Sequence, residues 1–112
     1  NEEFKRLFNK TVDTDSNGCL QDVHWYAGLF GYFPTYSLGA LTAAQLASQL
    51  RIDITNLDTQ IEKGDFKELL QWLKTNVHSK ASLYSTNDIL QQVTNSNLNA
   101  KYFEDYIKNR YL

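Results

Sequence analysis

The backbone punctuation of this chain is unevenly placed, and that limits its fold more than any other feature. Four of the five glycines and the only proline fall in one run, Gly18 to Gly39, which reads GCLQDVHWYAGLFGYFPTYSLG. Elsewhere no segment shows sustained strand alternation, and apolar residues recur at three- and four-residue spacing. The expected fold is all-α: a compact bundle of about five to six short helices around a central buried helix at residues 34–50. The expected organisation is a single helical domain over residues 1–112.

Residues 2–11 place Phe4, Leu7 and Phe8 on one face, which predicts a short amphipathic helix. The polar run Asp13 to Gly18 ends it, and Asn17-Gly18 favours positive φ there. Residues 21–26 fit either a short helix or an irregular loop. Pro34 suits the first turn of a helix, where its missing N–H costs nothing. From there to Leu50 no further proline occurs. Ala40, Ala43, Ala44 and Ala47 give this stretch narrow faces, while Leu38, Leu41, Leu46 and Leu50 fill space. A helix apolar on most sides is usually buried, so this one is expected at the centre.

Residues 55–63 read as a helix ending at Gly64. Asp65 with Glu68 reads as a capping box opening a helix at 66–77, whose inward stripe is Phe66, Leu69, Leu70, Leu73 and Val77. Ser85 with Asp88 opens a helix at 86–94 with Ile89, Leu90 and Val93 inside. Residues 99–111 carry Tyr102, Phe103, Tyr106 and Ile107 at helical spacing.

At 112 residues and a net charge of −2, the chain has room for one core and carries no basic block. A nucleic-acid footprint is therefore not indicated. One cysteine cannot close an internal disulfide, which suits a reducing compartment. No apolar run approaches the ~18 residues of a membrane span, and the start NEEFKRLFNK is too charged for a signal peptide. The expectation is a soluble, cytoplasmic chain without membrane or nucleic-acid partners. It also starts inside an apparent helix, as a C-terminal piece of a larger protein would.

The run Gly18–Gly39 concentrates chemistry as well as glycines, with His24, Trp25, Cys19, three tyrosines and two phenylalanines. A helix that only filled a core would use Leu, Ala, Glu and Lys with few glycines. One reading is calcium. Asp13-x-Asp15-x-Asn17-Gly18 matches the opening of a helix–loop–helix calcium loop, with Leu20 at the apolar eighth position. The twelfth position should be a bidentate Glu and is His24, and no second loop is present to pair with it. A catalytic zinc needs about three protein ligands, typically His and Glu. This chain has only His24 and His78, and the spacing of Cys19 to His24 matches no ligand pattern. It is expected to supply no metal ligand of its own. A third reading is a non-catalytic helical interaction domain in which the aromatic run is core.

Gly18-x-x-Gln21-Asp22-x-His24-Trp25, followed by Gly31-Tyr32-Phe33-Pro34-Thr35-Tyr36-Ser37-Leu38-Gly39, resembles the C-terminal signature of the thermostable carboxypeptidase (carboxypeptidase Taq) family. Its members are zinc metallocarboxypeptidases. Weaker matches at Gly64-Asp65-Phe66, Trp72-Leu73, Val77-His78 and the Tyr-rich end extend the resemblance over nearly the whole chain. The resemblance implies the C-terminal portion of an enzyme that releases single amino acids from peptide C-termini. It implies zinc, or cobalt in its place, held by residues upstream of Asn1. The family's metal-binding helix, general-base Glu and substrate-clamping Arg motif would lie there too. It further implies that the signature run is one wall of the active site, with a homodimer as one possible assembly of the parent.

Peptide hydrolysis develops negative charge on the carbonyl oxygen, which a neutral donor stabilises. A phenol or imidazole can serve, so the candidate catalytic residues are His24, Tyr32 and Tyr36. The candidate substrate-binding residues are Gln21, Asp22 and His24, because a free carboxylate is recognised by donors such as a carboxamide or an imidazolium. Asp22 either orients the imidazole or binds another partner, since an i, i+2 pair in a helix points to different faces. Trp25, Phe30 and Phe33 are expected to pack. His78 is read as structural at a helix end, and Cys19 as an inert, partly buried thiol. The faces of residues 2–11 and 34–50 are expected to expose apolar surface and to drive self-association.

Overall fold

The computed structural model describes residues 1–112 and contains helices and turns but no strand. The helices are α1 (Glu2–Phe8), α2 (Val23–Tyr26), α3 (Phe33–Asp53), α4 (Leu57–Glu62), α5 (Lys67–Asn76), α6 (Thr86–Thr94) and α7 (Lys101–Tyr111). Single 3-10 turns lie at Asp15–Asn17, Cys19–Gln21 and His78–Lys80. The all-α expectation stands. The chain divides into two units, Asn1–Tyr36 and Ser37–Leu112.

In the first unit α1 stops at Phe8, three residues before the expected end. Asn9 turns left-handed (φ 51, ψ 32) and its N–H returns to the Lys5 carbonyl. Asn tolerates that conformation better than most residues. The polar turn that follows is held by the Asn17 N–H on Thr14 Oγ1 at 3.3 Å and by Asn17 Nδ2 on Asp13 Oδ1 at 2.9 Å. Gly18 has φ −118, so the expected positive φ is not adopted there. Main-chain bonds from Asn17 to Thr14 and from Gly18 to Asp15, both 3.1 Å, close the turn instead. The left-handed glycines of this unit are Gly28 and Gly31, in the link between α2 and α3. Of residues 21–26, Gln21 ends a 3-10 turn, Asp22 is a cap and Val23–Tyr26 form the single turn of α2. No side chain of this unit is fully buried.

The second unit contains the core. Leu50, Leu57 and Trp72 form its buried cluster, with Leu46, Ile54, Leu69, Leu73, Val77 and Val93 packed against it. Leu90 is 1% exposed. Removing such a side chain from water stabilises the fold by about 1.5–3 kcal/mol. The long helix expected at 34–50 is present and extends to Asp53, but its burial differs from expectation. Residues up to Ala40 are exposed, and only Gln45 and Leu50 are buried. A helix of 21 residues is roughly 30 Å long. α7, of eleven residues, lines a cavity against Ala44, Ala47, Ser48 and Arg51 of this helix, all beyond the exposed stretch.

Gln45 is wholly buried, and its carboxamide is fully engaged. Nε2 donates toward Thr94 Oγ1 and Ser96 Oγ, both at 2.8 Å, with the Asn97 carbonyl at 3.1 Å. Oε1 accepts the Asn99 N–H at 2.9 Å, which fixes the amide orientation because that partner can only donate.

α4 ends as expected. Gly64 (φ 71) lets the Asp65 N–H reach the Gln60 carbonyl and its own N–H reach Ile61. α5 does not open with the expected capping box. Asp65 Oδ1 takes the Lys67 N–H at 3.2 Å, while Gln60 Nε2 holds Glu68 at 2.7 Å. Phe66 and Leu70 stay exposed, and Trp72 takes the buried place, its indole N–H on Asp53 Oδ2 at 2.7 Å. α6 forms both halves of its Ser85–Asp88 box, with Leu90 inward.

Candidate active site

Asp22 is the N-cap of α2, with extended backbone (φ −100, ψ 120). From that position its Oδ1 accepts the His24 backbone N–H at 2.8 Å and lies 2.5 Å from His24 Nδ1. Two residues inside a helix would diverge at this spacing. The cap position is what turns them together. On the other side of the ring, Nε2 is 2.9 Å from the Tyr36 hydroxyl.

Tyr36 sits on the first turn of α3, and local chemistry sets that turn. Gly31 (φ 79) admits the reversal after α2. Pro34 follows at a position where no N–H is missed. Thr35 donates both its N–H (3.1 Å) and its Oγ1 (2.6 Å) to the Tyr32 carbonyl. Three rings therefore converge on the imidazole. Tyr32 is stacked, with centroids 5.4 Å apart and planes at 27°. Phe33 is tilted at 4.9 Å, and Tyr36 is edge-on at 5.6 Å. They leave the His24 side chain 16% exposed. The His24 backbone N–H, and after it the imidazole, hold the Asp22 carboxyl below its usual range, against the opposing effect of lost hydration.

The structure thus joins three of the sequence-derived residues, Asp22, His24 and Tyr36, in one hydrogen-bonded chain. Tyr32 belongs through ring stacking alone. Gln21 is exposed in the preceding 3-10 turn and makes none of the cluster's hydrogen bonds. Phe33, read as packing, is the residue that sequence reasoning missed as a wall of the imidazole. Trp25 (40% exposed) and Phe30 (75% exposed) lean on one another at 5.6 Å and are not core. Cys19 is exposed, not partly buried. His78 is exposed, at the 3-10 turn after α5.

A catalytic metal draws on about three converging His, Glu, Asp or Cys side chains. No three such groups converge within this chain. In the stretch with calcium-loop spacing, the Asp13 carboxylate is taken by the Thr14 N–H and Asn17 Nδ2, both at 2.9 Å.

The chain belongs to the Carboxypeptidase Taq (M32) metallopeptidase family, whose sequence pattern it matches over residues 1–111. It is 40% identical to Carboxypeptidase 1 of Bacillus subtilis (strain 168) over 111 residues, 99% of this chain and 22% of that protein. Thermostable carboxypeptidase 1 of Pyrococcus furiosus is 35% identical over 112 residues, again 22% of its length. The solved structure of Trypanosoma cruzi metallocarboxypeptidase 1 superposes with a TM-score of 0.90 at 40% identity, covering 99% of this chain and 24% of that one. The chain therefore spans 22% of the length of the first two relatives.

Proposed function

We propose that this chain is the C-terminal portion of a zinc-dependent metallocarboxypeptidase that releases single amino acids from peptide C-termini. One observation carries the reading: the Asp22–His24–Tyr36 chain of hydrogen bonds, which ends on the phenol of a residue that is 55% exposed, in a member of a metallopeptidase family. Such a phenol, backed by an imidazole and a carboxylate, can donate to an oxyanion as it forms. Tyr36 takes that role, His24 supports it, and Tyr32, stacked on the imidazole, is the neighbouring donor. Gln21 presents an exposed carboxamide to the free carboxylate of the substrate. Zinc, with cobalt as the alternative, is held by residues other than those of this chain. The proposed setting is cytoplasmic, with a homodimer as the proposed assembly. No helix is long and apolar enough to cross a membrane.

The test is made in the full-length parent enzyme. His24→Ala and Tyr36→Phe are each expected to lower kcat about 10²–10³-fold, the usual effect of losing one oxyanion donor or its support. An unaltered rate per folded molecule would return the aromatic run to a purely structural role. The 112-residue chain alone, assayed with added zinc, is expected to release no C-terminal amino acid, and measurable release contradicts the division of the site.

A further inference from the structure

Asp22 uses one oxygen for two contacts. Its Oδ1 accepts the His24 backbone N–H at 2.8 Å and lies 2.5 Å from the ring's Nδ1. An ionised carboxylate only accepts hydrogen bonds. Two acceptors do not approach to 2.5 Å, so a hydrogen must sit on Nδ1. When the imidazole is neutral, that choice leaves Nε2 bare. The hydrogen shared across the 2.9 Å between Nε2 and Tyr36 is then the phenol's own. The remaining groups against the ring do not compete. Tyr32 lies over its face and bonds neither nitrogen, and Phe33 is apolar.

We infer that Asp22 is a positioning residue for His24: it fixes the Nδ1–H form of the imidazole, so that the proton state of Nε2 alone sets which way the Tyr36 hydroxyl donates. With Nε2 bare, the phenol hydrogen points inward and Tyr36 offers lone pairs to a visitor. With Nε2 protonated, the ring donates to the phenol oxygen. The phenol hydrogen is then free to turn outward, toward a peptide carboxylate or the oxyanion of hydrolysis. Asp22 balances the imidazolium charge in that state. The choice of substrate rests on the carboxypeptidase reading, whereas the tautomer does not.

The chain holds two imidazoles, His24 and His78, so histidine-selective 15N labelling in a His78→Gln background isolates one pair of ring nitrogens. Alkaline to the histidine titration, we expect Nδ1 in the protonated position and Nε2 in the bare position. Asp22→Asn and Asp22→Ser both keep a side-chain oxygen for the cap but remove the carboxylate. Each is expected to lose the single-tautomer pattern and give averaged resonances. Tyr36→Phe is expected to retain it. An Nε2–H tautomer in the chain with Asp22 intact, or an unchanged pattern in both Asp22 variants, overturns the inference. In the full-length enzyme Asp22→Asn should lower kcat about 10–100-fold with KM nearly constant, as losses of such supporting carboxylates do. Should kcat hold steady in an enzyme that His24→Ala does disable, the positioning role fails and the carboxypeptidase reading survives. Indifference to His24→Ala sinks the reading itself and leaves the tautomer to be judged by its resonances.

Discussion

Asn1–Tyr36 and Ser37–Leu112 use their side chains differently. The first unit is rich in aromatic rings, yet none of its side chains is fully buried. Its order comes from turns, caps and ring contacts that converge on His24. The second unit has Leu50, Leu57, Trp72 and Leu90 out of water and a single polar hub, Gln45, within reach of its core. Each partly exposed hydrogen bond contributes on the order of 0.5–1.5 kcal/mol, whereas each buried leucine contributes about 1.5–3 kcal/mol. The Asp22–His24–Tyr36 chain thus sits where single substitutions should alter stability little, and the buried leucines sit in the other unit. Local opening should be cheaper in the first unit than in the second.

That contrast can be attacked at several points. The largest effect is expected from Leu90→Ala, which removes a fully enclosed side chain and should cost about 2–5 kcal/mol in denaturant unfolding. A cost under ~1 kcal/mol would deny the second unit its core. Next comes Gln45→Leu. It leaves the Asn99 N–H and two hydroxyls without their partner, and about 2–3 kcal/mol should be lost despite the added hydrophobicity. A neutral or stabilising outcome would mean that water replaces the amide. Ala81 holds φ 44, ψ −131, a region that suits glycine. Ala81→Gly should therefore raise stability by about 1 kcal/mol, after the entropic cost of glycine is subtracted. In the first unit, Tyr36→Phe should change unfolding free energy by less than about 1 kcal/mol even where it disables the parent enzyme.

Acidification gives the smallest and most local effect. Asp22 is held low chiefly by the His24 backbone N–H, and Asp13 chiefly by the Asn17 side chain. For a depressed carboxyl, the stabilising contribution is complete above its unfolded value, 3.8, and is lost as pH falls through the lower folded one. Amide spectra recorded from roughly pH 5 to pH 2 should show the turns around Asp13 and Asp22 loosening first. The corresponding carboxyl of the second unit, Glu104, pairs with Lys108 on an exposed face of α7, so its protonation should leave the core resonances in place.

What could be read from the sequence was what depends on near neighbours. Ser85 and Asp88 formed the box that their spacing announces, and Gly64 closed α4 because only three or four residues take part. The Asp65–Glu68 box did not form because α5 starts one residue later, with Phe66 at its N-cap, and Glu68 is engaged instead by Gln60, eight residues away. The burial of Gln45 left no mark in its own segment, because its partners lie 49 to 54 residues downstream. At the candidate site the residue types were legible but their pairing was not. Asp22 faces His24 because it caps the helix from outside, and His24 meets Tyr36 across twelve residues and a glycine reversal. Phe33 was read as packing, since nothing in an aromatic residue's neighbours reveals which ring it will touch.

The two tryptophans fall one to each unit. Trp72 is enclosed, with its indole N–H on a carboxylate, and Trp25 stands 40% exposed beside Phe30 and Phe33. The intrinsic fluorescence of this chain is therefore a sum of two colours, a shorter-wavelength part from the leucine-lined interior and a longer-wavelength part from the aromatic surface near His24. Quenching by a dissolved anion or a bound peptide should dim the second and spare the first.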